Sequence, residues 1–291
     1  FVFGDWSSDV CSSDLTTPND YGPDLFVNHL NDFVTRHRDR PFFVYYPMCL
    51  PHTTWDFDRG RNGYVAPPRM DASGSKVEGK GEPTLRANVE TIDRLVGRIV
   101  QHLESVGIRD NTVILFTADN GTSGYGKGNL AEERGARVPL IVNGPGIVRS
   151  LGPSDHLVQF ADVLPTVLDL CGAPAENAMD GVSFAPLLRG EPCRGREWIF
   201  SYYAVHRMLR DRRWLLDGNG RLFDCGGARD ESDYTDVTDS GDPEVAAARR
   251  RFDGILAQLP GPPAEMQERW EAAITARRAA RRRGASPAPL E

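Results

Sequence analysis

Two oxygen-bearing side chains stand directly after an apolar run in the middle of the chain. Asp119 and Asn120 follow Thr112–Thr117, which is rich in β-branched residues. Such a run predicts a strand buried on both faces, as in a parallel sheet. Carboxylate and amide oxygens are the ligands of hard cations such as Ca²⁺ and Mg²⁺. The pair therefore predicts a metal site at a strand end, although Asn-Gly after a strand is also an ordinary turn signal.

Two further side chains suit an anionic ligand. Lys127 lies in the glycine-rich loop after Asn120 and offers a point charge, although a lysine in such a loop is usually solvated. His52 follows Pro41–Pro47, which we predict to be a buried strand. Because ligands of open α/β sheets bind beyond the carboxyl ends of the strands, His52 is predicted to share a rim with Asp119 and Lys127. A lone histidine in that position is more often structural. Together these residues suggest a site for a phosphate or sulfate ester.

The elements that must position these residues alternate between helix and strand. Apolar residues at helical spacing predict helices over Leu25–Val34 and Pro83–Val106, the second ending at Gly107. We predict half of a doubly wound unit with parallel strands here, formed by the second helix, a short turn and the strand Thr112–Thr117. A second buried strand is predicted over Val138–Val142.

The remaining stretches predict a mixture of loops, helices and short strands. The predicted elements are a long polar loop over Asp56–Gly81, a strand over His156–Phe160, a helix over Ala161–Leu170, short strands between Trp198 and Asp224 with a turn at Gly218–Gly220, a helix over Pro243–Leu259 and a short helix around Trp270. Short strands separated by turn residues predict a small antiparallel sheet in the C-terminal part.

Composition excludes several classes of partner. The net charge of −7 gives no reason to expect nucleic acid. No apolar run is long enough to span a bilayer, so no membrane span is predicted. The five cysteines are scattered singly without a Cys-x-x-Cys pair, which indicates neither a zinc site nor a dense disulfide framework. The pattern predicts no particular oligomeric state.

Several phrases of the chain resemble one enzyme family. The strings FTADNG and KGNLAEERGARVPLIV, the earlier PFFVYYPMCLPHTTW and the later GVSFAPLL resemble the sulfatase family of the alkaline phosphatase-like superfamily. The resemblance covers about Tyr21 to Leu259. It implies an α/β fold with a mixed or parallel sheet flanked by helices and a small C-terminal antiparallel-sheet subdomain. It also implies that Asp119 and Asn120 bind a calcium ion, and that His52 and Lys127 are catalytic residues that contact the sulfate.

The resemblance suggests a division of the chain into four parts. Residues 1–15 are predicted to be a non-native or disordered leader, because their Ser/Asp-rich sequence resembles translated adapter read-through. Residues 16–190 are predicted to form a partial sulfatase α/β domain, residues 191–259 a small α+β subdomain, and residues 260–291 a helical or disordered basic tail.

The nucleophile of the family is the gap in this sequence. Sulfatases use a formylglycine made from the first residue of a Cys/Ser-x-Pro-x-Arg motif, and no such motif occurs here. We therefore expect a fragment of a calcium-dependent sulfuric ester hydrolase acting on a small-molecule or saccharide sulfate ester, with this chain itself inactive. The alternatives are a phosphodiesterase or phosphonate hydrolase of the same superfamily, and a non-catalytic anion-binding protein. The resemblance alone implies a periplasmic or extracellular location.

Overall fold

The computed structural model describes residues 20–56, 61–71, 73, 75–121, 131–174, 178–228 and 231–282. The chain divides into two compact units. The first unit holds the described residues up to Val113 together with Gly144–Ile147, and the second holds Ile114–Asn143 and the described residues from Val148 onward. The division at residue 190 that the sequence suggested stays a prediction.

The first unit begins with helix α1, Gly22–His37. Its buried face consists of Pro23, Val27, Leu30 and Val34, which confirms the helix predicted from apolar spacing. Pro23 fits the first turn because its missing N–H has no partner to lose there.

The stretch after α1 corrects one prediction. Pro41–Pro47 is not a strand, and the Tyr45 side chain is 77% exposed. Within the described residues no second strand runs beside it, so its backbone has no ladder to join. Aromatic contacts join it to α1 instead, with Phe42 edge-on to Phe33 and Tyr46 tilted against Phe26.

The prediction of a polar loop over Asp56–Gly81 also needs correction, because two short antiparallel ribbons lie in this region. Strand β1, Thr54–Asp56, pairs antiparallel with β2, Arg61–Gly63. Strand β3, Pro68–Met70, pairs antiparallel with β4, Lys76–Lys80. Polar strands of this kind carry no apolar alternation, so periodicity did not indicate them.

Helix α2, Leu85–Ser105, closes the first unit and confirms its prediction. The Thr84 side chain accepts a hydrogen bond from the Ala87 N–H at its start, and Gly107 follows its end with a φ of 75°. Ile92, Leu95 and Leu103 are buried. Val89, on the same helix, is 50% exposed.

The second unit begins with a two-stranded ribbon that corrects the predicted parallel unit. Strand β5, Ile114–Thr117, is followed by the single-turn helix α3, Glu133–Ala136, and by strand β6, Leu140–Asn143. β5 and β6 pair antiparallel, and β6 is largely exposed, with Ile141 at 57%. An apolar run indicates a strand but not the direction of its neighbour. Within the described residues every strand pair is antiparallel.

Two helices follow the ribbon, α4 at Val163–Leu170 and α5 at Ala185–Arg189. The predicted strand over His156–Phe160 is wrong, because a 3₁₀ turn at Phe160–Asp162 leads into α4 instead. The Asp162 carboxylate accepts the backbone N–H of Gln159 at 3.0 Å, which starts the helical turn earlier than the apolar pattern indicated.

The C-terminal part is an antiparallel sheet covered by a helix. The strands are β7 (Ile199–Tyr203), β8 (His206–Arg210), β9 (Trp214–Leu216), β10 (Leu222–Asp224) and β11 (Thr235–Asp236), in the spatial order β11-β10-β9-β8-β7. Helix α6, Pro243–Leu256, packs on it through Val245, Ala248 and Phe252. Helix α7, Ala264–Arg282, follows and is longer than the short helix predicted around Trp270. An α/β fold with a small C-terminal antiparallel sheet is therefore confirmed. Among the described helices, none combines the length and apolar character needed to cross a bilayer.

Candidate active site

The predicted metal ligands lie in a tight turn just after β5. The strand ends at Thr117, the Asp119 side chain is exposed, and Asn120 is half-buried. The Asn120 N–H donates to Asp119 Oδ1 at 2.8 Å, which engages one carboxylate oxygen and fixes the turn. The second carboxylate oxygen and the Asn120 amide oxygen are the groups that could face a cation.

The turn is joined to the segment around α3 at the same end of the ribbon. The Gly121 N–H donates to the Gly135 carbonyl oxygen at 3.1 Å. The Thr117 hydroxyl donates to the Pro139 carbonyl oxygen at 2.8 Å. The position of the Asp119 turn therefore depends on where α3 is held.

Helix α3 is held by a buried carboxylate. Glu133 is 5% exposed and receives a 2.6 Å hydrogen bond from the Tyr234 hydroxyl and a 3.0 Å ion pair from Arg210 Nε. Arg137 Nη1 lies 3.8 Å from the same carboxylate. A buried carboxylate with a guanidinium and a hydroxyl donor is satisfied, whereas removing a partner would leave an uncompensated charge.

The electrostatics of this cluster favour the protonated phenol and the charged guanidinium. Burial raises the pKa of Tyr234 above its ordinary range, and its hydrogen bond to Glu133 raises it further. For Arg210 burial acts against the charge, but the combined effects of Glu133, Cys225 and Tyr234 exceed it and the pKa is raised. Tyr234 therefore remains a donor and Arg210 a cation over the physiological range.

Two backbone contacts strengthen the attachment. The Gly218 N–H, in the turn between β9 and β10, donates to the Ala131 carbonyl oxygen at 2.7 Å. The Arg134 N–H donates to Glu231 Oε1 at 2.6 Å, and burial raises the pKa of Glu231. The C-terminal sheet thus contacts the α3 segment through Ala131, Glu133 and Arg134.

These positioning residues are the part of the site that the sequence did not predict. Glu133 was visible only as one charge in a charged segment, with nothing to distinguish it from Glu132. Its partners Arg210 and Tyr234 lie far along the chain, and no local pattern links them. A charged helix turn that is followed by glycine and then by a strand is the weak signal that was present.

His52 lies in the first unit and is exposed. It ends a turn that is closed by its own N–H, which donates to the Cys49 carbonyl oxygen at 3.1 Å. Its Nδ1 is 2.5 Å from the Thr53 carbonyl oxygen. A carbonyl oxygen only accepts, so this contact assigns the hydrogen to Nδ1 and leaves Nε2 for a ligand. His52 and Asp119 belong to different units, so their convergence stays a prediction.

Lys127, the remaining predicted site residue, lies outside the described residues. Among the residues that are described, no group of three His, Cys, Asp or Glu side chains could hold a metal ion. Asp119 and Asn120 therefore provide two adjacent oxygen ligands, fewer than the six to eight oxygens that Ca²⁺ takes.

The described fold is one of mixed helix and sheet, in which a carboxylate and an amide side chain follow the end of a strand. A protein-family model described as Sulfatase matches residues 2–173, so the chain belongs to the sulfatase family. Mouse steryl-sulfatase is 31% identical over 225 residues, which is 68% of this chain and 32% of that protein. Human arylsulfatase D is 28% identical over 220 residues, 68% of this chain and 34% of that protein.

A solved structure supports the fold. The structure of Ps i-CgsB matches with a TM-score of 0.60 at 23% identity and covers 81% of this chain and 55% of that one. At that identity the match shows the fold alone. The chain spans about a third of the length of the two curated relatives, 32% and 34%.

Proposed function

We propose that this chain contributes the C-terminal half of the active site of a sulfuric ester hydrolase. The observation that carries the proposal is the family match over residues 2–173, a range in which His52, Asp119, Asn120 and Lys127 all lie. The proposed substrate class is a sulfate monoester of a saccharide or of another small molecule, because the relatives include sulfatases named for N-acetylglucosamine and for steryl substrates.

The roles follow from the chemistry of each side chain. Lys127 offsets the charge of the sulfate oxygens, as preorganised electrostatic stabilisation. His52, with Nδ1 bound to the Thr53 carbonyl, presents Nε2 to the ester and, when that nitrogen carries a proton, donates it to the leaving oxygen. Glu133 acts on the site indirectly, by holding the segment to which the Asp119 turn is bonded.

Asp119 and Asn120 are proposed to supply part of a calcium shell. They fit the ion in chemistry, as a carboxylate and an amide oxygen, but not in number. The remaining ligands are expected to come from outside the described residues.

The chain on its own is proposed to be inactive, because it holds no Cys/Ser-x-Pro-x-Arg motif for the formylglycine nucleophile. The test combines turnover and binding of p-nitrophenyl sulfate, in calcium and in a chelator. We expect no turnover, and binding that Lys127→Ala and His52→Ala weaken by about tenfold or more each, as for lost hydrogen bonds to a charged group. Lys80→Ala, at an exposed lysine of β4, is the matched control and should bind as the unmodified chain does.

Turnover that Asp119→Ala abolishes would contradict the inactivity, and equal binding by Lys127→Ala and Lys80→Ala would contradict the sulfate role. The same titration with phenyl phosphonate addresses the phosphonate hydrolase alternative, which a clear preference for the phosphonate would favour.

A further inference from the structure

Three cations surround one carboxylate in the first unit. Asp24, in the first turn of α1, is contacted by Arg98 Nη1 at 2.7 Å and Arg94 Nη1 at 3.1 Å, both on α2. Lys76 Nζ, at the start of β4, lies 3.6 Å from the other carboxylate oxygen. Two separate elements of the chain, α2 and β4, therefore bring positive charge to the same carboxylate of α1.

The charges of this cluster do not balance. Among the described residues, the one further side chain that these cations contact is neutral: the Asn28 amide oxygen accepts from Arg98 at 2.5 Å. Across the described part of the chain, none of the three contacts a second carboxylate. One negative charge faces three positive ones, which leaves an excess of two. The Arg94, Arg98 and Lys76 side chains are 26%, 31% and 49% exposed, so a ligand from solvent can reach them.

The N-terminus of α1 adds to this positive potential. The helix begins after Tyr21, and no side chain caps it. The uncapped N–H groups of a 16-residue helix carry a partial positive charge that favours an anion. Asp24 lies in this first turn and neutralises only part of the combined charge.

The residue that precedes α1, Tyr21, carries a buried hydroxyl without a hydrogen-bond partner among the described residues. Tyr21 as a whole is 8% exposed. Its carbonyl oxygen accepts from the Asp24 N–H at 2.9 Å, so this residue adjoins the cluster. Burial above all raises the pKa of Tyr21 to about 12, so the hydroxyl stays protonated as a donor. A buried donor with no acceptor costs free energy unless a ligand or water supplies one.

We propose that Lys76, Arg94 and Arg98, with the Tyr21 hydroxyl as a further donor, form a binding site for a tetrahedral oxyanion such as sulfate. A dianion matches the excess charge, and the planar guanidinium groups match the spacing of its oxygens. The anion arrives either as free sulfate or as a sulfate group carried on a saccharide. The site does not depend on ester hydrolysis, and it lies in the unit that also carries His52.

Isothermal titration with sodium sulfate, against sodium chloride of matched ionic strength, tests the proposal. The chain used is the His52→Ala, Lys127→Ala double variant, so that binding at the proposed active site does not contribute. We expect saturable binding that Arg94→Gln weakens by about tenfold or more, because hydrogen bonds between charged groups are the strong ones. Arg86→Gln is the matched control, since Arg86 lies on the same helix, 89% exposed and paired with Glu90, and should change nothing.

Two further variants separate binding from a structural role. Tyr21→Phe should weaken sulfate binding about three- to tenfold, the value of one hydrogen bond. Asp24→Asn removes the competing carboxylate and should tighten sulfate binding while lowering the melting temperature. A cluster that only clamps α1 to α2 predicts weaker binding or none in that variant.

Absence of saturable sulfate binding, or equal affinity in Arg94→Gln and Arg86→Gln, would overturn the proposal. Circular dichroism shows whether Asp24→Asn folds, and if it does not, Lys76→Ala decides, with weaker binding expected. Titration with glucose 6-sulfate distinguishes the sources. Tighter binding than for inorganic sulfate means that the group arrives on a saccharide, and equal binding means that the free ion is recognised.

Discussion

Two parts of the second unit are stabilised by different kinds of contact. The C-terminal sheet with α6 has a dry core, in which Leu209 and Phe252 are fully buried and Leu222 is 1% exposed. The β5–β6 ribbon that carries the Asp119 turn has no such core, and its Ile141 is 57% exposed. Apolar burial stabilises the sheet, whereas polar contacts to that sheet position the ribbon. The part nearest the candidate chemistry therefore depends on the part farther from it.

The largest expected effect tests the first half of this comparison. Leu209→Ala removes a fully buried side chain and should lower the free energy of unfolding by about 3 to 5 kcal/mol, through lost transfer and a residual cavity. Ile141→Ala is the control and should cost about 1 kcal/mol or less. Denaturant titration monitored by circular dichroism measures both. Equal losses would mean that the ribbon contributes as much core as the sheet.

The second expected effect concerns the polar attachment. Glu133→Gln leaves the Arg210 guanidinium, whose side chain is 14% exposed, without its carboxylate and should cost about 3 kcal/mol. Glu132→Gln, in a half-exposed pair with Arg134, should cost about 1 kcal/mol or less. The Gly121 amide, bonded to Gly135, should exchange its hydrogen faster only in Glu133→Gln. Unchanged exchange there would show that the clamp does not position the Asp119 turn.

The elements that could be predicted from sequence are those whose signals are local. Helix α2 has a 3.6-residue stripe, a threonine cap and a following glycine, and each acts within one or two turns. Helix α6 begins after Asp242, whose side chain caps it, with Pro243 in its first turn. The β9–β10 turn carries Gly220 at a φ of 84°, which glycine adopts at little cost. In these places the sequence and the fold agree at every level.

Two of the predictions that were wrong concerned what lies beside an element. Pro41–Pro47 has the composition of a buried strand, but a strand exists only where a neighbour offers a ladder. The run Thr112–Thr117 was predicted to be parallel and covered on both faces, and the structure pairs β5 antiparallel with β6. Composition reports the capacity for burial, and only the packing decides whether it is used.

The candidate site divides in the same way. The position of Asp119 and Asn120 just after a strand was predictable, because a polar pair that ends an apolar run is a local pattern. The role of Asp119 and Asn120 as metal ligands stays a prediction, and so does the catalytic role of His52. Glu133 was not predictable as a positioning residue, because its burial comes from Arg210 and Tyr234 in the C-terminal sheet.

The smallest expected effect extends the comparison to thiols. Cys225 is 2% exposed in the sheet beside Arg210, whereas Cys171 is exposed after α4. Burial raises the pKa of the Cys225 thiol from 9.0 to about 11, although Arg210 acts in the opposite direction. The folded state thus favours the neutral thiol, so this contribution to stability is complete below pH 9 and is lost as the pH rises towards 11.

The free energy of unfolding should be measured from pH 8.5 upward. It should fall less steeply with pH in Cys225→Ala than in the unmodified chain, because the Cys225 thiol, whose pKa is higher in the folded state, contributes to that fall. Cys171→Ala is the control and should keep the full slope. At pH 8 a thiol reagent should modify Cys171 at once and Cys225 only after unfolding, because the thiolate is the reactive form. Equal slopes for both variants, with rapid modification of Cys225, would mean that the sheet around Arg210 opens to water as readily as the ribbon does.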